Sequence, residues 1–205
     1  MKTYISAAAL VAALAATPSL AQDRSEAFTG PYLGATVGVD SIQVDDGTDS
    51  ESEEGVAYGT ILGYDFATDN AVFGVEAELS ESSIGVDDTN VLVAGDTASF
   101  TAGRDIYVGA RAGIFASDNG FLYVKGGYTN QKFDLDYTAP GVALSDSSNA
   151  DGFRVGAGGE FRLADNLTAR VEYRYSNYGE LEFDGTALGV DLERHQGMAT
   201  VAYRF

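Results

Sequence analysis

Leu167-Thr168-Ala169-Arg170-Val171-Glu172-Tyr173-Arg174-Tyr175 places Leu, Ala, Val and two Tyr on one parity, and Thr, two Arg and a Glu on the other. Successive side chains leave a strand on opposite faces, so strict alternation marks a strand whose two faces meet different surroundings. The same alternation recurs at residues 32–39, 56–66, 72–80, 104–115, 121–130, 153–163 and 194–205, giving eight predicted strands. Ile61 interrupts the second run. The apolar parity of the fifth reverses at Phe133, Leu135 and Tyr137, which a bulge or an extension past a membrane would explain.

The connections sort by length. Those after the second, fourth and sixth runs are tight, at 67–71, 116–120 and 164–166, a length that fits hairpins. The others, 40–55, 81–101, 131–152 and 177–193, are long and polar. Short turns on one side and long loops on the other are the habit of membrane barrels, and an even strand number returns both ends to the short-turn side.

Composition agrees with this reading. The 205 residues include 25 Gly, 12 Tyr and 11 Phe, with no Cys and no Trp, so disulfide frameworks and thiolate metal sites are out. Twelve Lys and Arg against 31 Asp and Glu give a formal charge of −19, which excludes a nucleic-acid backbone as partner. An apolar share of 45% argues against disorder. Residues 1–21 read as a cleaved secretory signal peptide: Lys2, an apolar run from Ile5 to Ala16, then Pro18 and a small-x-small ending at Ala21. The apolar run is shorter than the roughly 20 residues a spanning helix needs. Residues 22–205 then form one barrel domain.

The apolar parity is assigned to lipid and the polar parity to the lumen. Gly, Arg and Glu dominate the polar parity, where Gly leaves room for long side chains to cross a narrow interior. Aromatics cluster at the ends of the apolar parity: Tyr64, Phe66, Phe73, Phe161, Tyr203 and Phe205 near the short turns, and Tyr58, Tyr128, Phe153 and Tyr175 near the long connections. They match two interfacial girdles. The fold class is therefore an all-β, eight-stranded, antiparallel up-and-down transmembrane β-barrel with short periplasmic turns and long acidic extracellular loops.

Charged residues on the inward parity are Asp65, Glu76, Glu78, Arg111, Lys125, Arg154, Glu160, Arg162, Arg170, Glu172, Arg174 and Arg204. An isolated buried charge is costly, so these are expected to pair across the lumen as a structural plug. Arg suits the task because its planar fork holds a carboxylate in two parallel bonds. A catalytic reading of Glu76 and Glu78 lacks a neighbouring nucleophile. His195, the sole histidine, falls on the lipid-facing parity at the outer rim. The long connections hold 20 of the 31 acids, opposed there mainly by Lys132 and Arg194, and read as a solvated, self-repelling surface. The acidic stretch 45–54 lacks the alternating ligands of a calcium loop, so neither metal nor cofactor is expected.

Gly74-Val75-Glu76-Ala77-Glu78-Leu79, Ile106-Tyr107-Val108-Gly109-Ala110-Arg111-Ala112-Gly113, Gly156-Ala157-Gly158-Gly159-Glu160-Phe161 and Ala169-Arg170-Val171-Glu172-Tyr173-Arg174-Tyr175 resemble the eight-stranded outer-membrane β-barrel family. The resemblance is close to the small porin-like, immunogenic outer-membrane proteins of alphaproteobacteria and more distant to OmpA/OmpX-type barrels. Val201-Ala202-Tyr203-Arg204-Phe205 is similar to the terminal-Phe signal, with Tyr203 and Phe205 as its aromatics, that such proteins present to the barrel-assembly machinery. One departure stands: the family's usual Asp-Trp entering the fourth strand is Asp105-Ile106 here. The resemblance implies residence in the cell outer membrane, lipid and lipopolysaccharide as surroundings, and no defined substrate.

Arg104 shares the outward parity of Ile106–Ile114. Those outward positions span about 27 Å of strand at ~3.3 Å per residue, or roughly 21 Å after a tilt near 40°. That nearly fills the apolar band, so Arg104 is expected at its outer edge, within reach of lipopolysaccharide phosphates. Function is read as a structural, surface-exposed envelope protein with a side-chain-filled lumen. The alternative is a small non-specific diffusion channel, and a lipid-modifying enzyme is a third class.

Overall fold

The computed structural model describes residues 24–45, 50–90, 93, 95–139, 142–178, 182–183, 186–187 and 191–205; the expected signal peptide lies outside them. In chain order the elements are α1 (Arg24–Phe28), β1 (Gly30–Asp45), β2 (Ser50–Ala67), β3 (Ala71–Ser82), β4 (Gly85–Thr89), β5 (Thr97–Ser117), β6 (Gly120–Ala139), β7 (Val142–Ala164), β8 (Leu167–Tyr178), β9 (Glu182–Phe183), β10 (Thr186–Ala187) and β11 (Asp191–Arg204). Eight of them, β1, β2, β3, β5, β6, β7, β8 and β11, pair antiparallel in an unbroken ring, with β11 against β1 and β3 against β5 closing it. Closure leaves the ring without a free edge, which is what lets strands cross a bilayer. The short β4 extends the sheet beyond the ring on β5, and β9 with β10 forms a separate small hairpin.

Burial follows the two-residue period. Along β8 every second residue from Thr168 to Tyr178 is buried, and the intervening ones are half-buried or exposed. The exposed parity is apolar: Leu62 is 58% exposed, Val75 62% and Val171 67%. In water this continuous apolar band would be an enormous patch for a monomer, whereas lipid removes the penalty. Tyr64, Phe66, Phe73, Phe161, Tyr203 and Phe205 stand exposed at the short-turn end, and Tyr58, Tyr128 and Phe153 at the other.

The short turns repeat one device. Each contains Asp-Asn, at 69–70, 118–119 and 165–166, and each Asn carbonyl accepts an N–H from a strand of the next hairpin. Phe115 donates to Asn70 at 3.3 Å, Arg162 to Asn119 at 2.8 Å and Arg204 to Asn166 at 2.8 Å; Phe205 completes the circuit by donating to Pro31 at 3.1 Å. These bonds lace the hairpins side by side at one rim.

At the other end the structure corrects the expectation of long loops. β1 and β2 stay paired out to Asp45 and Ser50, and β6 and β7 out to Ala139 and Val142. Most of 40–55 and nearly all of 131–152 are therefore β-ribbon. There the inward face changes from charged lumen to a buried apolar cluster that includes Ile42, Phe133 and Ala150, while the outward face turns polar, so the lipid-facing pattern stops although hydrogen-bonded pairing continues. The apolar parity of β6 reverses at Phe133 by extension and not by a bulge in β6: the strand keeps its parity, and Phe133 is buried on the same inward side as Tyr123, Lys125 and Thr129. The irregularity lies on the neighbouring strand, where Gly103 and Arg104 of β5 both fall opposite Lys132 between the pairs Ala102–Phe133 and Asp105–Gln131. This bulge lets Ala102 and Asp105, three residues apart, both point inward.

Two apolar clusters close the interior. Phe28 of α1 packs with Ala67, Val72, Phe121 and Tyr123 at the short-turn end. Its ring meets Phe121 edge-on at 5.2 Å. At the opposite end Ile42, Ile84, Ala102, Phe133, Ala150, Tyr178 and Leu192 form the second cluster.

Candidate functional site: the charged lumen

Between the two apolar clusters lies a column of buried charge. Seven bases, Arg111, Lys125, Arg154, Arg170, Arg174, Arg194 and Arg204, and seven acids, Asp40, Asp65, Glu76, Glu78, Asp105, Glu160 and Glu172, are each no more than 5% exposed. The lumen is formally neutral, and the −19 belongs to the rest of the chain.

The layer nearest the short turns is built on Asp65 and Glu160. Arg111 contacts both, with Nε to Asp65 Oδ1 and Nη1 to Glu160 Oε2 each at 2.9 Å. Arg204 Nη2 reaches Asp65 Oδ2 at 2.5 Å and Glu160 Oε1 at 2.7 Å, and Arg170 Nε lies 2.7 Å from Glu160 Oε2. Arg204 also donates to the Phe28 carbonyl at 2.8 Å, tying α1 into the barrel mouth.

The middle layer shares three glutamates among three cations. Lys125 Nζ lies 2.9 Å from both Glu76 Oε1 and Glu172 Oε1. Arg170 Nη1 meets Glu76 Oε2 at 2.6 Å, Arg174 Nη1 meets Glu78 Oε1 at 2.5 Å, and Arg174 also pairs with Glu172. Tyrosines also cross the lumen. Tyr32 donates to Glu76 Oε2 at 2.9 Å, and the guanidiniums of Arg111, Arg170 and Arg204 lie 4.4–5.0 Å from its ring centre. Glycine makes these crossings possible: a Cβ on Gly63 would stand 2.3 Å from the Tyr32 ring, and one on Gly109 2.1 Å from the Tyr107 hydroxyl.

The outer layer joins Asp40 and Asp105. Arg194 binds Asp40 through Nε at 2.9 Å and Nη2 at 2.6 Å, and Asp105 through Nη1 at 2.7 Å. Arg154 pairs with Asp105, Thr129 donates to Asp105 at 2.8 Å, and Ser82 donates to Asp40 at 2.6 Å.

Of the lumen residues predicted from sequence, Glu76, Glu78, Arg111, Lys125, Arg154, Glu160, Arg170, Glu172 and Arg174 meet in this network. Arg162 does not. It is half-buried at the short-turn rim, where its Nη2 donates to Asn119 Oδ1 at 3.3 Å, because β7 bulges between Arg162 and Ala164 as it leaves the barrel. Asp40 and Arg194, read as loop charges, are instead in the lumen, since β1 and β11 continue inward-facing past the last apolar residue of their runs. Asp105, Tyr32 and Tyr107 were missed as network members. The signal for Asp105 was its parity with Tyr107, Gly109 and Arg111.

The remaining candidates sit apart from the lumen. His195 and Tyr173 share a 2.7 Å hydrogen bond on the outward face. Arg104 is exposed at the bulge, and Phe205 is 70% exposed with its ring 5.0 Å from Tyr203. On the extramembrane ribbon the Tyr137 phenol donates to Asp96 at 2.8 Å, and that bond raises its pKa. Among the described residues no three His, Cys, Asp or Glu side chains converge where a metal ion could sit.

Comparison with known proteins places this architecture among bacterial envelope proteins. Residues 6–205 match the family described as the outer membrane protein beta-barrel domain. The chain is 28% identical over 187 residues to a 25 kDa outer-membrane immunogenic protein of Brucella melitensis, covering 87% of this chain and 78% of that one. Among solved structures it is similar in fold to Neisserial surface protein A, at 15% identity, 86% and 98% coverage and a TM-score of 0.56. It is likewise similar to Ail, the attachment invasion locus protein of Yersinia pestis, at 16% identity, 85% and 99% coverage and a TM-score of 0.51.

Proposed function

Because the chain belongs to the outer membrane protein β-barrel family, we propose that it works at the cell surface as a closed, non-catalytic structural barrel, passing no solute and transforming no substrate. It is an integral protein of the outer membrane. The observation that carries the reading is the lumen itself: fourteen paired charges in three layers, crossed by Tyr32 and Tyr107 and capped by apolar clusters at both ends. A through-path for water would require several of these contacts to part together. Eight strands leave an interior that side chains fill, and here they fill it.

Two further observations speak against catalysis. Glu76 and Glu78, the carboxylate pair weighed as acid and base, are held by Lys125, Arg170 and Arg174 in the interior between the two apolar clusters. His195 is engaged by Tyr173 on the lipid-facing surface. The parts offered to the exterior are the paired ribbons β1–β2 and β6–β7, which rise past the tyrosine belt; the Brucella relative is described as immunogenic, and ribbons of this kind are what an exterior molecule would meet. Tyr203 and Phe205 are assigned to recognition by the barrel-assembly machinery.

Liposome swelling tests the reading. Vesicles carrying the refolded barrel are expected to swell in an isosmotic pentose solution no faster than empty vesicles, and rapid swelling would restore the diffusion channel.

A further inference from the structure

We infer that the Asn119-Gly120 dipeptide, in the hairpin turn between β5 and β6, is a self-modification site. Its Asn119 carboxamide is hydrolysed to a carboxylate after attack by the Gly120 nitrogen, with the Arg162 guanidinium seated on the reacting carbonyl. The inference stands on the turn alone and goes beyond the closed-barrel reading.

Three turns of one build supply the comparison. Each short turn presents Asp-Asn, followed by Ala71, Gly120 or Leu167. In all three the Asn backbone carbonyl accepts an N–H from the next hairpin. Asn119-Gly120 is the sole Asn-Gly dipeptide in the chain. A side chain on the following residue crowds the approach of its nitrogen to the Asn Cγ, and glycine removes that obstacle. Packing in turn demands the glycine. A Cβ on Gly120 would stand 2.8 Å from both the Glu160 carbonyl oxygen and the Phe161 ring, so any larger residue would have to displace β7.

The asparagine side chains are also held differently. Asn166 donates its Nδ2 to the Arg204 carbonyl at 2.8 Å, which fixes its amide on the neighbouring strand. Asn119 instead accepts at Oδ1, from Arg162 Nη2 at 3.3 Å. It is half-buried, and Ser117 and Asp118 beside it are exposed, so water reaches the turn.

The chemistry needs water and no other reagent. The Gly120 nitrogen gives up its proton to solvent and bonds to Asn119 Cγ, while Oδ1 takes up negative charge under the guanidinium. The Oδ1 carbonyl then re-forms and Nδ2 leaves, protonated, as ammonia, which yields a cyclic imide. Water opens the ring at either carbonyl, giving aspartate, or isoaspartate with the chain rerouted through the side-chain carbon. Nucleophile and carbonyl already share one chain, which spares the entropy of bringing them together. A cation aimed at the oxygen where charge develops lowers the barrier further.

Both products alter the rim. Aspartate turns the neutral Arg162 contact into an ion pair. Isoaspartate lengthens the backbone at the carbonyl to which the Arg162 N–H donates at 2.8 Å, and so loosens the lacing of the second hairpin to the third. The turn is a one-way clock that marks each molecule by age.

The test holds the refolded barrel, in detergent micelles, in mildly alkaline buffer made with heavy-oxygen water, and samples it over days. Samples are digested in ordinary water and analysed by mass spectrometry. The tryptic peptide Ala112–Lys125 carries Asn119, and Leu163–Arg170 carries Asn166. The first is expected to gain a carboxylate with a single heavy oxygen and to separate into two chromatographic forms. The peptides with Asn70 and Asn166 are expected to stay unchanged. Arg162→Gln is expected to slow the reaction about threefold in the folded barrel, the worth of one partly exposed charge contact, and to leave the urea-unfolded chain unaffected. An unlabelled Asn119 in the folded barrel while the unfolded chain converts, or equal conversion at Asn70 or Asn166, would overturn the site. An unchanged folded rate in Arg162→Gln would overturn the part given to the guanidinium. Heat-modifiable electrophoretic migration confirms that each sample is folded, so a lost barrel is told apart from an unreactive turn.

Discussion

Arg194 holds Asp40 through two contacts, Nε to Oδ1 at 2.9 Å and Nη2 to Oδ2 at 2.6 Å, across the seam where the last strand meets the first. The same guanidinium reaches Asp105 on β5, so one side chain links the closing seam to the opposite wall. Breaking a buried pair by removing one partner leaves an uncompensated charge and costs about 3–5 kcal/mol. Arg194→Leu is therefore expected to lower the stability of the folded barrel by about that much. Urea unfolding of the vesicle-embedded protein measures it, and Asp40→Asn added to Arg194→Leu should recover part of the loss. A change below about 1 kcal/mol, the scale of an exposed pair, would show that Arg194 is a surface residue.

Arg162 is the contrasting case. Its side chain sits half-buried at the short-turn rim beside Asn119, and Arg162→Gln is expected to shift unfolding by no more than about 0.5 kcal/mol, as surface substitutions do. Arg154→Gln, with a fully buried guanidinium on Asp105 and Ser176, is expected to resemble the Arg194 variant in the same assay. Similar losses at 162 and 154 would contradict the layered network.

Gly63 tests the aromatic crossing. A methyl group there collides with the Tyr32 ring at 2.3 Å and the Val75 carbonyl at 2.7 Å. Gly63→Ala is expected to cost about 1–3 kcal/mol, the usual penalty of overpacking. Combining it with Tyr32→Ala relieves the ring contact, so in a double-mutant cycle the two substitutions should cost less together than the sum of their separate effects.

Much of this fold was legible in the sequence because each strand inside the membrane separates lipid from a polar interior. Leu167–Tyr175 is the clearest case: its two parities face opposite surroundings in the structure, and Arg170, Glu172 and Arg174 all reach the lumen. The signal ended where that contrast ended. Beyond Asn130 the outward face of β6 is polar (Lys132, Asp134, Asp136) and its apolar residues turn inward, so a paired ribbon looked like a loop, and Asp40 and Arg194 were placed outside with it. The parity change at Phe133, open in the sequence to a bulge or an extension, is the extension; the bulge is on the neighbouring strand at Gly103–Arg104, where the pattern of β6 carries no trace of it. Tyr32 and Tyr107 could not be told from belt tyrosines by type alone; their parity, shared with Gly, was the available clue.

Phe205 separates assembly from stability. Its ring is exposed on the lipid side and its backbone N–H closes the lacing at Pro31. Deleting it removes one apolar side chain from lipid, and the refolded barrel is expected to lose less than about 3 kcal/mol. As the assembly signal, its deletion should cut the amount of folded protein in the outer membrane several-fold, read by surface proteolysis of cells. Unchanged surface levels would remove Phe205 from that role.

Conductance of the refolded wild-type protein in a planar bilayer tests the central claim most directly. A lumen holding seven acids against seven bases between two apolar caps is expected to give no sustained single-channel steps under an applied voltage. Stable, repeatable open-channel steps from the wild-type barrel would contradict the closed interior.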